Sequence, residues 1–143
     1  MSFFTSLKLS ASGLQAERLR VDLATANLAN ANSTRTPEGG PYRRLDPVLR
    51  ARPLEGAFAD QLRRSFRMVS IDRIVRDPRP PREVFNPTHP DADEDGILLL
   101  PNVQIVEEMV NLMNARRSYE ANISVLRVSR EMAQRALQIG RSS

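Results

Sequence analysis

Residues 103–140 carry the segment that decides the fold, VQIVEEMVNLMNARRSYEANISVLRVSREMAQRALQIG. The segment contains no proline, and its apolar residues mostly recur at intervals of three or four, the period of an amphipathic helix. This apolar ladder consists of Ile105, Met109, Leu112, Tyr119, Ile123, Leu126, Ala133 and Leu137. At about 1.5 Å per residue a helix over residues 103–139 would be about 55 Å long, longer than a compact chain of this size is wide. The segment therefore predicts one long helix and an elongated protomer.

Both ends of this helix carry residues that suit helix termini. Asn102 is a candidate N-cap, because its side chain can accept a hydrogen bond from a free backbone N–H. Glu107 and Glu108 stand early in the helix, where its dipole favours negative charge. Gly140 is a natural stop.

A second helical pattern occupies about residues 2–31. Its apolar stripe repeats at strict seven-residue intervals, through Leu7, Leu14, Val21 and Leu28. A stripe this regular predicts a seam against another helix. Asn27, Asn30 and Asn32 follow within a few positions, and asparagine prefers turns and caps to helix interiors, so the helix should end near Ala31.

Proline placement divides the chain into three segments, 1–31, 32–101 and 102–140. All ten prolines lie between Pro37 and Pro101, and proline is excluded from helix interiors. The middle segment contains three short β-like runs at 42–51, 66–75 and 97–100, with Pro47 restricting the first to an edge position. The predicted fold class is mainly α, with long N- and C-terminal helices pairing as a coiled-coil-like unit around a small Pro/Arg-rich β insertion.

Composition bounds the chemistry. The 143 residues suffice for one domain or one extended protomer, and the absence of cysteine excludes disulfides, thiolate metal sites and cysteine nucleophiles. The N-terminus lacks the basic and apolar regions of a secretory leader, and no stretch approaches the ~20 apolar residues that span a bilayer. We therefore expect no membrane span, and export without a cleaved signal peptide if the protein leaves the cytoplasm.

A basic window between Arg43 and Arg82 holds eleven arginines and five acidic residues. Such a window is compatible with a nucleic-acid or anionic-surface binding module. No nucleic-acid fold motif accompanies it, and Phe58 and Phe66 are its only aromatic candidates for base stacking. Inter-subunit ion pairs are the alternative, and we expect no nucleic-acid partner.

The acidic stretch Asp91 to Gly96 fits the first half of a calcium loop, because alternate carboxylates can converge on one cation before the glycine turn. The twelfth position of that loop, which should supply a glutamate, is Asn102, so an acidic turn leading into a β run is the favoured interpretation. His89 is the only histidine and is interpreted as a turn residue. We expect no metal, no cofactor and no catalytic residues, and hence no enzyme.

Each terminal helix has an apolar stripe that one helix pair cannot fully bury. Packing against copies of the chain or related chains would bury the remainder. The pattern thus predicts a subunit of a polymer or bundle, and an isolated monomer that is only marginally stable.

Three stretches resemble the flagellar basal-body rod protein family. Residues 12–16 (SGLQA) with 27–34 (NLANANST) are similar to the helix signature of rod and hook proteins. Residues 40–44 (GPYRR), 86–96 (NPTHPDADEDG) and 101–103 (PNV) are similar to proximal-rod proteins in particular. Residues 107–110 (EEMV) and 115–122 (ARRSYEAN) resemble the C-terminal helix of the family.

The resemblance implies a structural subunit of the basal-body rod, which crosses the periplasm. Such a subunit would pass through the flagellar type III export apparatus without a cleaved leader and assemble helically with other rod proteins and copies of itself, transmitting torque and surrounding the export channel. We expect helix packing and assembly through Leu7, Leu14, Val21, Leu28, Ile105, Leu112, Tyr119 and Leu126. Asn27, Asn30 and Asn122 are the predicted polar contacts that fix subunit register.

Overall fold

The computed structural model describes residues 3–53 and 67–141. Two long helices enclose a β insertion in the chain: α1 spans Phe3–Ala29 and α2 spans Ile105–Arg141. Between them lie β1 (Leu45–Pro53), β2 (Arg67–Arg76), β3 (Arg82–Phe85) and β4 (Ile97–Leu100). The predicted class, mainly α with a small β insertion, is confirmed, whereas the coiled-coil geometry stays a prediction.

The two helices pack against each other in antiparallel orientation. Near the C-terminal end of α1, Asn27 donates a hydrogen bond to Glu108, and near the middle of both helices a Cβ added at Gly13 would lie 3.2 Å from Nδ2 of Asn122. The two contacts are separated by fourteen residues along α1 and by fourteen along α2, which defines a single antiparallel register. Gly13 permits the close approach because it has no side chain.

The inward face of α2 follows an alternating spacing of four and three residues. The covered positions along this face are Glu108, Leu112, Ala115, Tyr119, Asn122, Leu126, Ser129 and Ala133. On α1 the buried positions that face α2 include Ala16 and Leu23. The seam combines small and large side chains, which is how closely packed helices interdigitate.

The helix boundaries differ slightly from the sequence expectation. Asn30 ends α1 as a local cap, because its Nδ2 donates to the Ala26 carbonyl (2.9 Å) and its Oδ1 accepts a hydrogen bond from Ser33 (3.1 Å). Pro101 is buried and residues 101–104 belong to no helix or strand, so α2 begins at Ile105 and Asn102 is not its N-cap. Gly140 does not stop α2, which continues to Arg141.

Strands β1 and β2 form an antiparallel hairpin with a register shift at Val48/Leu49. The hairpin packs on α1, and the backbone N–H of Val69 donates to the Ser12 hydroxyl (3.3 Å). A two-stranded hairpin is marginal by itself, so this helix supports it. The prediction that Pro47 sits in an edge strand is confirmed, since each sheet formed by the described residues has two strands.

A second antiparallel pair, β3 with β4, lies beside the start of α2. Strand β3 was missed in the sequence because it has four residues and no alternating pattern. The turn from Asn86 to Gly96 joins the two strands, and Gly96 has φ +76°, a conformation that favours glycine.

The core is small for the length of the chain. Its buried apolar residues among the described positions are Ala16, Leu23, Ala24, Ala31, Leu98, Val103 and Ala115. The accessible surface is 10,724 Å², whereas a compact monomer of this mass exposes about 7,400 Å². The monomer therefore leaves about 3,300 Å² more surface exposed than a globule would.

Candidate assembly site

Asn27 lies at the centre of a buried polar junction that joins α1, β1 and α2. The side chain is 1% exposed, and its carboxamide makes two opposed hydrogen bonds with the backbone of Leu45: Leu45 N–H donates to Oδ1 (2.8 Å) and Nδ2 donates to the Leu45 carbonyl (2.9 Å). Leu45 pairs with Arg76 on its other side. The Asn27 carboxamide thus pairs with Leu45 as the backbone of a neighbouring strand would, because it offers a donor and an acceptor in one plane.

Glu108 brings α2 into the same junction. Its side chain is 2% exposed, accepts a hydrogen bond from Asn27 Nδ2 (3.1 Å), and forms an ion pair with Arg44, whose Nε lies 2.6 Å from Oε1. Arg44 also donates to Asp46 (2.8 Å). A buried carboxylate is tolerated only when it is paired and hydrogen-bonded, and both conditions hold here.

Electrostatics agree with this arrangement. Burial alone would lower the pKa of Arg44, but the hydrogen bonds and charges of Asp46 and Glu108 outweigh it and raise that pKa, so the guanidinium stays charged. Tyr42 donates its hydroxyl proton to Asn27 Oδ1 (3.0 Å), and burial together with the charge of Glu108 raises its pKa. Throughout residues 3–53 and 67–141 no buried side-chain nitrogen or oxygen lacks a hydrogen-bond partner.

The three predicted polar contacts take different places. Asn27 belongs to the junction and Asn122 lies against Gly13 on the seam, so both bridge the helices. Asn30 caps its own helix. Sequence reasoning missed Tyr42 and Arg44, and it assigned Glu108 to the helix dipole. One signal was present: Glu108 stands four residues before Leu112 and therefore shares its helix face.

The predicted packing residues divide between two faces. On α2, Leu112, Tyr119 and Leu126 are half-buried on the inward face, while Ile105 is 44% exposed. On α1, Leu7, Leu14, Val21 and Leu28 are half-buried. Leu14 and Val21 each stand two residues from the buried Ala16 and Leu23, about 200° away around the helix. Leu28 stands four residues after the buried Ala24, however, and Leu14 follows Gly13 on the seam, so the stripe borders the seam and does not lie opposite it.

An apolar stripe lies on the outer face of α2. It consists of Val106, Met109, Val110 and Met113, at the i, i+3, i+4, i+7 spacing of one helix face. Val106 is 75% exposed and Met113 is 67% exposed. Met113 stands two residues from the fully buried Ala115, so the stripe lies on the side of α2 opposite the seam.

The distal end of α2 is exposed as well. The antiparallel register places Phe3 opposite Met132, so α2 continues for nine residues beyond the first described residue of α1. Leu137 in this extension is 70% exposed. Soluble monomers rarely present apolar surface of this extent, and such surface marks sites of protein association.

Five of the eleven arginines of the basic window have acidic partners among the described residues of the chain. Arg44 is buried in the junction, and four exposed arginines have acidic partners: Arg50 and Arg73 with Asp72, Arg76 with Glu38, and Arg79 with Asp77. Phe58 and Phe66, the proposed stacking residues, lie outside the described residues. The geometry therefore gives no support to the nucleic-acid alternative.

The acidic turn from Asp91 to Gly96 leads into β4, as the favoured interpretation predicted. Its carboxylates bind protein donors: Asp93 Oδ1 accepts the backbone N–H groups of Asp95 (3.1 Å) and Ile97 (2.7 Å), and Asp91 accepts the Thr34 hydroxyl (2.8 Å). Within the described ranges no group of three or more metal-ligating side chains is arranged to hold an ion. His89 accepts the backbone N–H of Asp91, the turn role expected for it.

Among the described residues, no helix combines the length and the apolarity that crossing a bilayer requires.

Comparison with known proteins gives a consistent result. Residues 7–35 match a family model described as flagella basal body rod protein, and residues 94–139 match one described as flagellar basal body rod FlgEFG protein C-terminal. The two matched ranges cover most of α1 and of α2, the elements of the seam.

Curated relatives match over nearly the whole chain. The flagellar basal-body rod protein FlgC of Borreliella burgdorferi is 39% identical over 97% of this chain and 98% of its own. Those of Bacillus subtilis (36%; 99% and 100%) and Salmonella typhimurium (34%; 98% and 99%) are similar to a comparable degree. These relatives are structural proteins, which confirms the expectation that the chain is not an enzyme. The chain belongs to the FlgC family of flagellar basal-body rod proteins.

Proposed function

We propose that this rod subunit occupies the proximal rod and assembles helically with other rod proteins and copies of itself. In this role it transmits torque and surrounds the export channel. The observation that carries the proposal is the exposed apolar stripe from Val106 to Met113, on the side of α2 opposite the seam. The seam already buries one face of α2, so in a monomer the second apolar face stays exposed to water, which is typical of a surface that binds another protein.

The half-buried stripe of Leu7, Leu14, Val21 and Leu28 supports the same proposal from α1. It has the seven-residue period of a coiled-coil seam, and it remains partly exposed beside the seam with α2. We infer that it packs against a helix of a neighbouring subunit. The four–three spacing of the inward face of α2 likewise supports coiled-coil-like pairing within the chain.

The junction suits a subunit that carries torque. A satisfied buried network holds the hairpin, α1 and α2 to one another with short hydrogen bonds, such as the 2.6 Å contact of Arg44 with Glu108. Force applied to the hairpin would therefore reach both helices without a flexible joint. We further propose that the chain is exported by the flagellar export apparatus without a cleaved signal peptide and that the rod it enters crosses the periplasm.

A single substitution on the outer stripe tests the assembly proposal. Met113→Asp places a charge on the proposed interface, and Ala121→Asp places the same charge at an exposed position of α2 outside both the stripe and the distal extension. Cells carrying Met113→Asp should form no complete rods and should not swim, because a buried unpaired charge opposes association. Cells carrying Ala121→Asp should swim normally. Electron microscopy of basal bodies gives the readout, and intact rods with Met113→Asp would refute the stripe as an interface.

A further inference from the structure

The length of the helices does not fix how they pair. Helix α2 has 37 residues and α1 has 27. If α1 moved by seven residues toward the C-terminal end of α2, Phe3 would lie opposite Ile139 and Ala29 opposite Met113. Every described residue of α1 would still have α2 beside it.

The packing of the seam also tolerates this slip. The inward positions of α2 repeat with alternating spacings of four and three, so a shift of seven returns the same face to α1. Gly13 would then meet Ser129 in place of Asn122. Ser129 is small and half-buried, so the close approach at Gly13 would survive.

The polar junction does not tolerate it. In the slipped pairing Asn27 would face Ala115, and Glu108 would lie beyond the end of α1, opposite Thr34. Glu108 would lose its hydrogen bond from Asn27. Asn27 also hydrogen-bonds to both backbone groups of Leu45, which follows Arg44 in the chain. Arg44 and the hairpin would therefore move with α1, away from Glu108 on α2. The buried Arg44 would lose Glu108 and keep only Asp46 as a counter-charge, and removing one partner of a buried ion pair is strongly unfavourable.

We infer that the contacts of Glu108 with Asn27 and Arg44 set the register of the helix pair, and that docking of the β hairpin is part of this selection. Buried ion pairs are seldom more stabilising than apolar residues of similar volume, but a single buried polar group can fix helix register. The junction therefore acts as a specificity device in the folding of the single chain. This holds whichever subunits the chain contacts in the rod.

Disulfide trapping tests the inference, because the chain has no cysteine of its own. Gly13→Cys with Asn122→Cys reports the native register, and Gly13→Cys with Ser129→Cys reports the slipped one. Both pairs are introduced into the full chain, oxidised under identical conditions, and followed by mass spectrometry of proteolytic fragments. With the junction intact, the native pair should form at least about tenfold faster. Equal rates would overturn the inference.

The same pairs are then measured with the junction made apolar by Arg44→Met and Glu108→Leu. The rate ratio should fall to about threefold or less, while the melting temperature stays equal or rises, because apolar replacement of a buried ion pair is often neutral or stabilising. A ratio that remains near tenfold would contradict the inference. If this variant lacks helical circular dichroism, Asn27→Leu takes its place, and an unchanged ratio with Asn27→Leu would be equally contradictory.

Discussion

Arg44→Ala is the perturbation whose effect can be worked out most fully. The Arg44 side chain is 10% exposed and that of its partner Glu108 is 2% exposed, so the substitution leaves a buried carboxylate without its counter-charge. Removing one partner of a buried pair costs about 3–5 kcal/mol. Asn27 still donates to Glu108, which favours the lower end of that range. The entropy of unfolding 143 residues is about 0.3 kcal/mol per kelvin, so a loss of about 3 kcal/mol in the free energy of unfolding should lower the melting temperature by about 10 °C.

Arg50→Ala is the matched control. Arg50 also pairs with a carboxylate, Asp72 at 3.2 Å, but it is 61% exposed. Exposed pairs contribute about 1 kcal/mol or less, so the melting temperature should fall by about 3 °C at most. Circular dichroism at 222 nm during heating of the purified chains gives both values. Equal shifts for the two variants would refute the claim that burial makes the Arg44 pair important.

Two further predictions concern packing and pH. Ala115 is fully buried on the seam, so Ala115→Leu should destabilise the chain by about 1–3 kcal/mol. Ala121→Leu, at an exposed position of α2, should change stability by about 0.5 kcal/mol or less. Chemical denaturation measures both values, and equal values would argue against the seam. Hydrogen bonds from the side chain and backbone N–H of Arg79 lower the pKa of Asp77 from 3.8 to about 2, so the stability it contributes is complete above pH 3.8 and is lost as the pH falls toward 2. Asp77→Asn should therefore flatten the dependence of melting temperature on pH between 4 and 2, and an unchanged slope would contradict this assignment.

Local pattern was sufficient for the helices and insufficient for the junction. The period of Leu112, Tyr119 and Leu126 predicts the inward face of α2, because helical periodicity is a property of neighbouring residues. The junction joins Asn27 and Arg44 to Glu108 across 81 and 64 positions of the chain, and no spacing rule connects residues so far apart.

The face of α1 used by the seam was hidden for a related reason. The leucine stripe at Leu14 and Leu28 is the strongest apolar signal in the N-terminal segment. The close approach of the two helices occurs at Gly13, which has no side chain, and Ala16 is buried one turn further along. A hydrophobicity pattern gives such residues little weight, so it identifies an apolar face without saying which helix covers it.

The central claim is that the chain is a subunit that the basal-body rod requires. The most direct measurement is to delete its gene in the native bacterium, score swimming, and image basal bodies in isolated cell envelopes. The account predicts non-motile cells with membrane rings but no complete rod or hook, and recovery when the wild-type gene is restored. Motile cells with intact rods, in a strain that carries no second copy, would contradict it.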